Sequence, residues 1–246
     1  MSKIIIFRIA IFVIFISISY LLSANYQDMI GFVLVLSVGL IHGANDLLII
    51  KKNSKSTSNY SQFRTFFAYI AVVFAGLIFF YLIPSFALIA FILVSIYHFG
   101  EQHLEAIPIT RKLKSNYRVI SIVSHGIILF TIIFMNNIDI VNNVFLSFKI
   151  NFVNSNTLNV ILITASILYL STLVINKYLT SFIFSEILFF VLFYFLSLSS
   201  TLILCFSVYF IFFHSILSIK DQVKYIYGSN DYYSLKRYLL NSMPYF

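Results

Sequence analysis

The chain has 246 residues, 61% hydrophobic and only 10% charged, with 16 basic against 8 acidic residues and a mean hydropathy of +0.98. A soluble domain carries about 25% charged residues, so a water-soluble fold is excluded. The basic residues gather in short loops between apolar runs, where they set membrane orientation rather than bind nucleic acid, and the lone Cys205 excludes an intrachain disulfide.

Crossing the hydrocarbon core takes about 20 apolar residues at 1.5 Å each. That ruler predicts eight helices, in order Ile4–Ser23, Met29–Ile50, Phe66–Leu82, Ser85–Phe99, Tyr117–Met135, Leu158–Ile175, Phe182–Leu198 and Ser199–Ile219. The first carries Lys3 and Arg8 before its apolar run and Ser23-Ala24 after it, which resembles a signal peptide. The run is long for one, and an uncleaved helix is expected. The last two are separated only by the polar Ser197–Thr201 cluster, the weakest break in the series. The expected fold class is an all-α integral membrane protein, a polytopic bundle of about eight transmembrane helices forming one domain over residues 1–246. Residues 220–246 make a tyrosine-rich cytoplasmic tail with an amphipathic segment for the membrane surface.

With eight spans and both termini cytoplasmic, 15 of the 16 basic residues fall inside and only Lys149 outside. Seven or nine spans would spoil that partition, so charge placement favours an even number in a cell membrane. The Asn-rich stretch from Asn136 to Asn159 is then an outer loop. The abundance of Phe and Tyr carries no weight at this level, since nucleotide bias would produce it equally.

That topology brings the polar residues into agreement. His42 falls about two turns from the cytoplasmic end of the second predicted helix and His98 at that end of the fourth. His125 lies about two turns into the fifth and His214 about one turn from the cytoplasmic end of the eighth. Ionisable groups within spans face bundle interiors and mark functional paths, and imidazoles from several helices are an expected metal cage. His42, His98 and His214 are therefore expected to meet on one metal and to be the catalytic residues. His103 is either a fourth ligand or a solvated loop histidine: it stands about 140° around the helix from His98, and Gly100 between them would make a distortion cheap. Asp46, one turn beyond His42, and Glu101, near His98, either support a ligand imidazole or sit solvated at helix ends. His125, flanked by Ser121, Ser124 and Gly126, is placed behind the ligands or in a substrate wall.

Spacing removes other chemistries. The chain has no H-E-x-x-H, C-x-x-C-H, P-loop, G-x-G-x-x-G or nucleophile elbow, and no clustered H-x-x-x-H boxes of membrane desaturases. Two other readings of these histidines stay open: a haem-binding electron carrier, and a transporter or accessory protein with a histidine-lined proton path.

His42-Gly43…Asp46, Tyr97-His98-Phe99-Gly100 and Phe213-His214-Ser215, in that order, resemble the motifs of the Brp/Blh family of membrane β-carotene 15,15′-dioxygenases. The resemblance covers nearly the whole chain. It implies a non-haem Fe(2+) enzyme that uses O2 to cleave the central double bond of β-carotene into two retinals, with retinal passed on to a rhodopsin. The carry-over reaches His42, His98 and His214. The family often places a second histidine four residues after the one in the H-S motif, where this chain has Ser218. That leaves a three-histidine site or a replacement by His103, which stands where many members carry Asp.

Overall fold

The computed structural model describes residues 3–39, 41, 49, 59–107, 114–176 and 180–242, and among them every element is helical. In chain order these are α1 (Lys3–Leu21), α2 (Ala24–Leu34), α3 (Asn59–Leu82), α4 (Pro84–Glu105), α5 (Ser115–Asn136), α6 (Ile138–Ser147), α7 (Ser155–Ile175), α8 (Ile183–Ser199), α9 (Leu202–Tyr227) and α10 (Tyr232–Ser242). Two helices carry π-helical turns: α2 continues into one over Val35–Gly39, and α9 contains one over Tyr209–Ser215. Five helices among the described residues are long and apolar enough to cross a membrane, namely α4, α5, α7, α8 with its leading turn, and α9. Shorter apolar stretches occupy Ile5–Leu21, Ile70–Leu82 and Ile138–Ser147. The part of the second predicted helix that carries His42 and Asp46 lies outside the described residues.

Helix α5 is the hub, packed on α4 and α7 and touching α8, while α1 lies on α8 and α2 on α9. Two glycines set the α4–α5 crossing. A Cβ on Gly100 would stand 2.0 Å from the carbonyl oxygen of Ile122, and one on Gly126 2.0 Å from that of Ile96. Each glycine thus admits the backbone of the opposite helix, the close small-residue packing that associates helices in lipid, where burial from water supplies no drive. Gly100 therefore serves the crossing, and α4 runs without a break through His98 and His103 to Glu105.

The break between α8 and α9 is real and sharp. Ser200 is extended at φ −121°, ψ 163°, and Thr201 caps α9 by accepting from the Leu204 N–H. Gln27, almost fully buried, closes the freed backbone there: its Oε1 accepts from Thr201 N–H at 2.9 Å, and its Nε2 donates to the Ser19 and Leu22 carbonyls. Backbone groups released inside an apolar medium need such partners.

The Asn-rich stretch is structured. It holds α6, and Asn142 exchanges two hydrogen bonds with Val153 while Asn154 caps α7 through Thr157 N–H. Lys149, at φ 58°, makes the left-handed turn after α6. At the other end, Asp231 caps α10 by accepting from Ser234 N–H at 2.7 Å. This backbone bond, joined by the Ser229 hydroxyl, holds the Asp231 carboxyl below its ordinary pKa. Helix α10 docks on the end of α9 through Tyr238 against Ile219 and Val223, with the Tyr238 hydroxyl donating to Gln222.

Aromatic rings fill the core. Phe12, Phe189, Phe193 and Tyr209 are all essentially solvent-free, and Phe12 stacks on Phe213 at 4.9 Å. Outward-facing residues such as Val72, Phe74, Leu93 and Phe184 are apolar and exposed, as a lipid-facing surface requires.

Candidate metal centre

The four histidines among the described residues divide into two pairs. His98, exposed on α4, and His214, buried in the π-helical turn of α9, face one another with ring centroids 4.7 Å apart and planes at 69°. Two imidazoles bound to one ion at about 2.1 Å through adjacent positions place their ring centres about 4.5–5 Å apart, so this pair suits a shared metal. His42, the third expected ligand, and Asp46 lie outside the described residues. Gly39, at the end of the π-helical turn of α2, abuts the Phe210 ring, and Phe210 stacks on His214 at 5.6 Å. Ser218 is half-buried one turn after His214, and Glu101 is half-buried on α4, its Oε1 accepting a long 3.5 Å bond from Tyr97.

His103 goes elsewhere. The uninterrupted α4 turns it away from His98 and buries it against His125 of α5, the two rings stacked at 3.8 Å. Its Nε2 lies 2.8 Å from Oε2 of Glu186, a buried carboxylate on α8. Among the described residues, His103, His125 and Glu186 are the trio of His, Cys, Asp or Glu whose ligand atoms all fall within 4.8 Å of one another. Two further groups hold the carboxylate. Arg8 of α1 donates to Oε1 at 2.8 Å, Tyr169 of α7 donates to Oε2 at 2.8 Å, and the Arg8 guanidinium lies over the Phe189 ring. Five helices thus meet at one polar node.

Aromatic rings stand between the two histidine groups. Phe99 touches His214 at 4.8 Å and Tyr209 at 5.5 Å, Tyr209 touches Phe189 at 6.4 Å, and Phe189 touches His103 at 5.1 Å. Each group also has its own apolar space. A wholly apolar cavity of about 250 Å3, lined by Leu88, Phe91, Phe130 and Phe206 among others, lies one ring away from His214, because Phe130 and Phe206 both contact Phe99. A second, of about 380 Å3 between α5, α7 and α8, reaches Tyr169 and Glu186 at its polar end.

The residues unused by the sequence reading are Glu186, Arg8 and Tyr169. In the sequence Arg8 reads only as an N-terminal positive charge, of the kind that sets topology or opens a signal peptide. The signal for Glu186 was present: a lone carboxylate in the apolar run Phe182–Leu198 is an intramembrane acid, which marks function by default.

A family model described as beta-carotene 15,15'-dioxygenase matches residues 33–246. The chain belongs to the β-carotene 15,15′-dioxygenase family. It is thereby an enzyme of carotenoid cleavage built from membrane-type helices, and β-carotene is the substrate that membership implies. The match takes in His98, His103, His125, Glu186 and His214, while α1 and Arg8 precede it. Neither the curated proteins nor the solved structures compared with the chain include a match.

Proposed function

We propose that the chain is an iron-dependent oxygenase that cleaves β-carotene with O2 at the central 15,15′ double bond. One C=C bond breaks, and each of its carbons leaves as the aldehyde of a retinal, one oxygen atom to each. Fe(2+), held by His98, His214 and His42, would supply the dioxygen chemistry, which imidazole ligands permit by leaving coordination positions open. The observation that carries this reading is the edge-to-face pairing of His98 and His214, on two helices of a chain in this family.

The surroundings support it. His214 is solvent-free and ringed by Phe99 and Phe210, so water is excluded from its side of the pair. The neighbouring cavity has no polar lining, which fits a hydrocarbon that enters from the bilayer between helices. We place the protein in the cell membrane with eight spans and both termini cytoplasmic, on the charge partition of its loops. Retinal then leaves into the membrane, where a rhodopsin could receive it.

The test is expression in cells that accumulate β-carotene. Loss of orange colour with stoichiometric retinal is expected, and His98→Ala or His214→Ala should lower retinal formation at least about 10²-fold, as removal of a group acting on the reacting centre does. Iron bound to the purified chain should fall in the same variants. An intense Soret band, or unchanged carotenoid, would overturn the assignment.

A further inference from the structure

We propose that His103, His125 and Glu186 form a second site for a divalent transition-metal ion, apart from the His98–His214 pair. The inference does not rest on the dioxygenase reading. It starts from an unpaired group. Both ring nitrogens of His125 are buried without a hydrogen-bond partner, and the side chain is wholly inaccessible to solvent. An imidazole in apolar surroundings needs a partner for its N–H and its lone pair. No described protein group offers one, and a ligand arriving in the node would.

The donor set suits that ligand. Two imidazoles and one carboxylate are a recognised set for first-row divalent ions, with positions left over for water or a small molecule. Nε2 of His103 and Oε2 of Glu186 are 2.8 Å apart, close to the roughly 3 Å between adjacent ligand atoms that each lie about 2.0–2.2 Å from one ion. Arg8 and Tyr169 grip the carboxylate by its two oxygens, the kind of outer support that fixes a ligand's orientation. Glu186 is buried, so its charge is little screened and favours a cation, while Arg8, with Nη2 3.5 Å from His103 Nε2, opposes one. The ligand atoms of all three residues already lie within 4.8 Å of one another, so a small adjustment of the rings would bring them onto one ion. The 380 Å3 cavity ending at Glu186 and Tyr169 gives a small ligand access to the ion from the α7–α8 side.

The chain's five histidines make a decisive test available. In the full-length chain carrying H42A, H98A and H214A, only His103 and His125 remain as imidazoles. Purified in detergent, stripped with chelator and loaded with Cu2+, this variant is expected to hold one ion per chain, with the electron paramagnetic resonance splitting of two nitrogens. No stoichiometric ion, or splitting from fewer than two nitrogens, overturns the proposal. Should that variant not be recovered folded, the question moves to H125Q in the otherwise unaltered chain, titrated with Co2+. H125Q is expected to bind one equivalent fewer than the unaltered chain, and equal stoichiometry overturns the proposal.

Discussion

At the residue scale the molecule turns on charges and glycines placed where lipid-facing helices tolerate neither easily. Glu186 is buried, and the Arg8 guanidinium pairs with it at 2.8 Å. Removing one member of a buried ion pair typically costs about 3–5 kcal/mol, because the other is left uncompensated. Arg8→Leu should therefore destabilise the bundle by about that much, read as a lower midpoint of thermal or SDS unfolding in detergent, and Glu186→Gln in the same chain should recover most of the loss. An unchanged midpoint for Arg8→Leu would show that the pair carries no weight. The glycines make a complementary prediction. Gly126→Ala would put a methyl 2.0 Å from the Ile96 carbonyl oxygen, against backbone that cannot swing away. Overpacking of this kind costs about 1–3 kcal/mol or more, whereas Gly76→Ala, with nothing within 4 Å, should leave the unfolding midpoint unchanged. Sequence alone exposed the histidines, because an imidazole stands out in an apolar run. It did not expose which histidine meets which, since that depends on how α4 crosses α5.

At the element scale the π-helical turns are the feature that positions His214. An α-helix advances 100° per residue, so a π-helical turn, which inserts an extra residue, re-aims everything beyond it. The turn in α9 covers Tyr209–Ser215 and includes His214, and the turn in α2 ends at Gly39, against Phe210. Such turns frequently mark functional sites. Deleting Phe212 should restore regular α-helical geometry, rotate His214 relative to the start of α9, and lower retinal formation about 10²-fold, the loss that a small misplacement of a reacting group produces. Circular dichroism should remain helical, and full activity would show that the turn is dispensable. No hydrophobic period announces a π-helical turn, which is why it was not legible in the chain. The helices themselves were legible, because length and unbroken apolar character suffice. The predicted Phe182–Leu198 and Ser199–Ile219 correspond to α8 and α9, and Ser197–Thr201 holds the break between them. Helix α6 was missed: its ten residues are too few to span, and their asparagines read as loop.

At the scale of the whole molecule, loop charges orient the bundle and contacts between distant helices build its interior. With Cys205 replaced by Ser, a cysteine at Asn151 should react with a membrane-impermeant maleimide in intact cells, and one at Asn230 only after permeabilisation. The reverse pattern, or equal labelling, would sink the eight-span arrangement. The sequence by itself determined that this chain is helical and membrane-embedded, and which imidazoles are available to a metal. Those properties follow from composition, segment length and motif, all local along the chain. Only the tertiary structure decided that His103 leaves His98 for His125 and Glu186, that Arg8 of α1 reaches across 178 residues of sequence to Glu186, and that aromatic rings stand between the two histidine groups. The reason is physical: a side chain's neighbours in a bundle are set by where helices cross. Here that crossing is fixed by two glycines and two backbone carbonyls, contacts that no single segment contains.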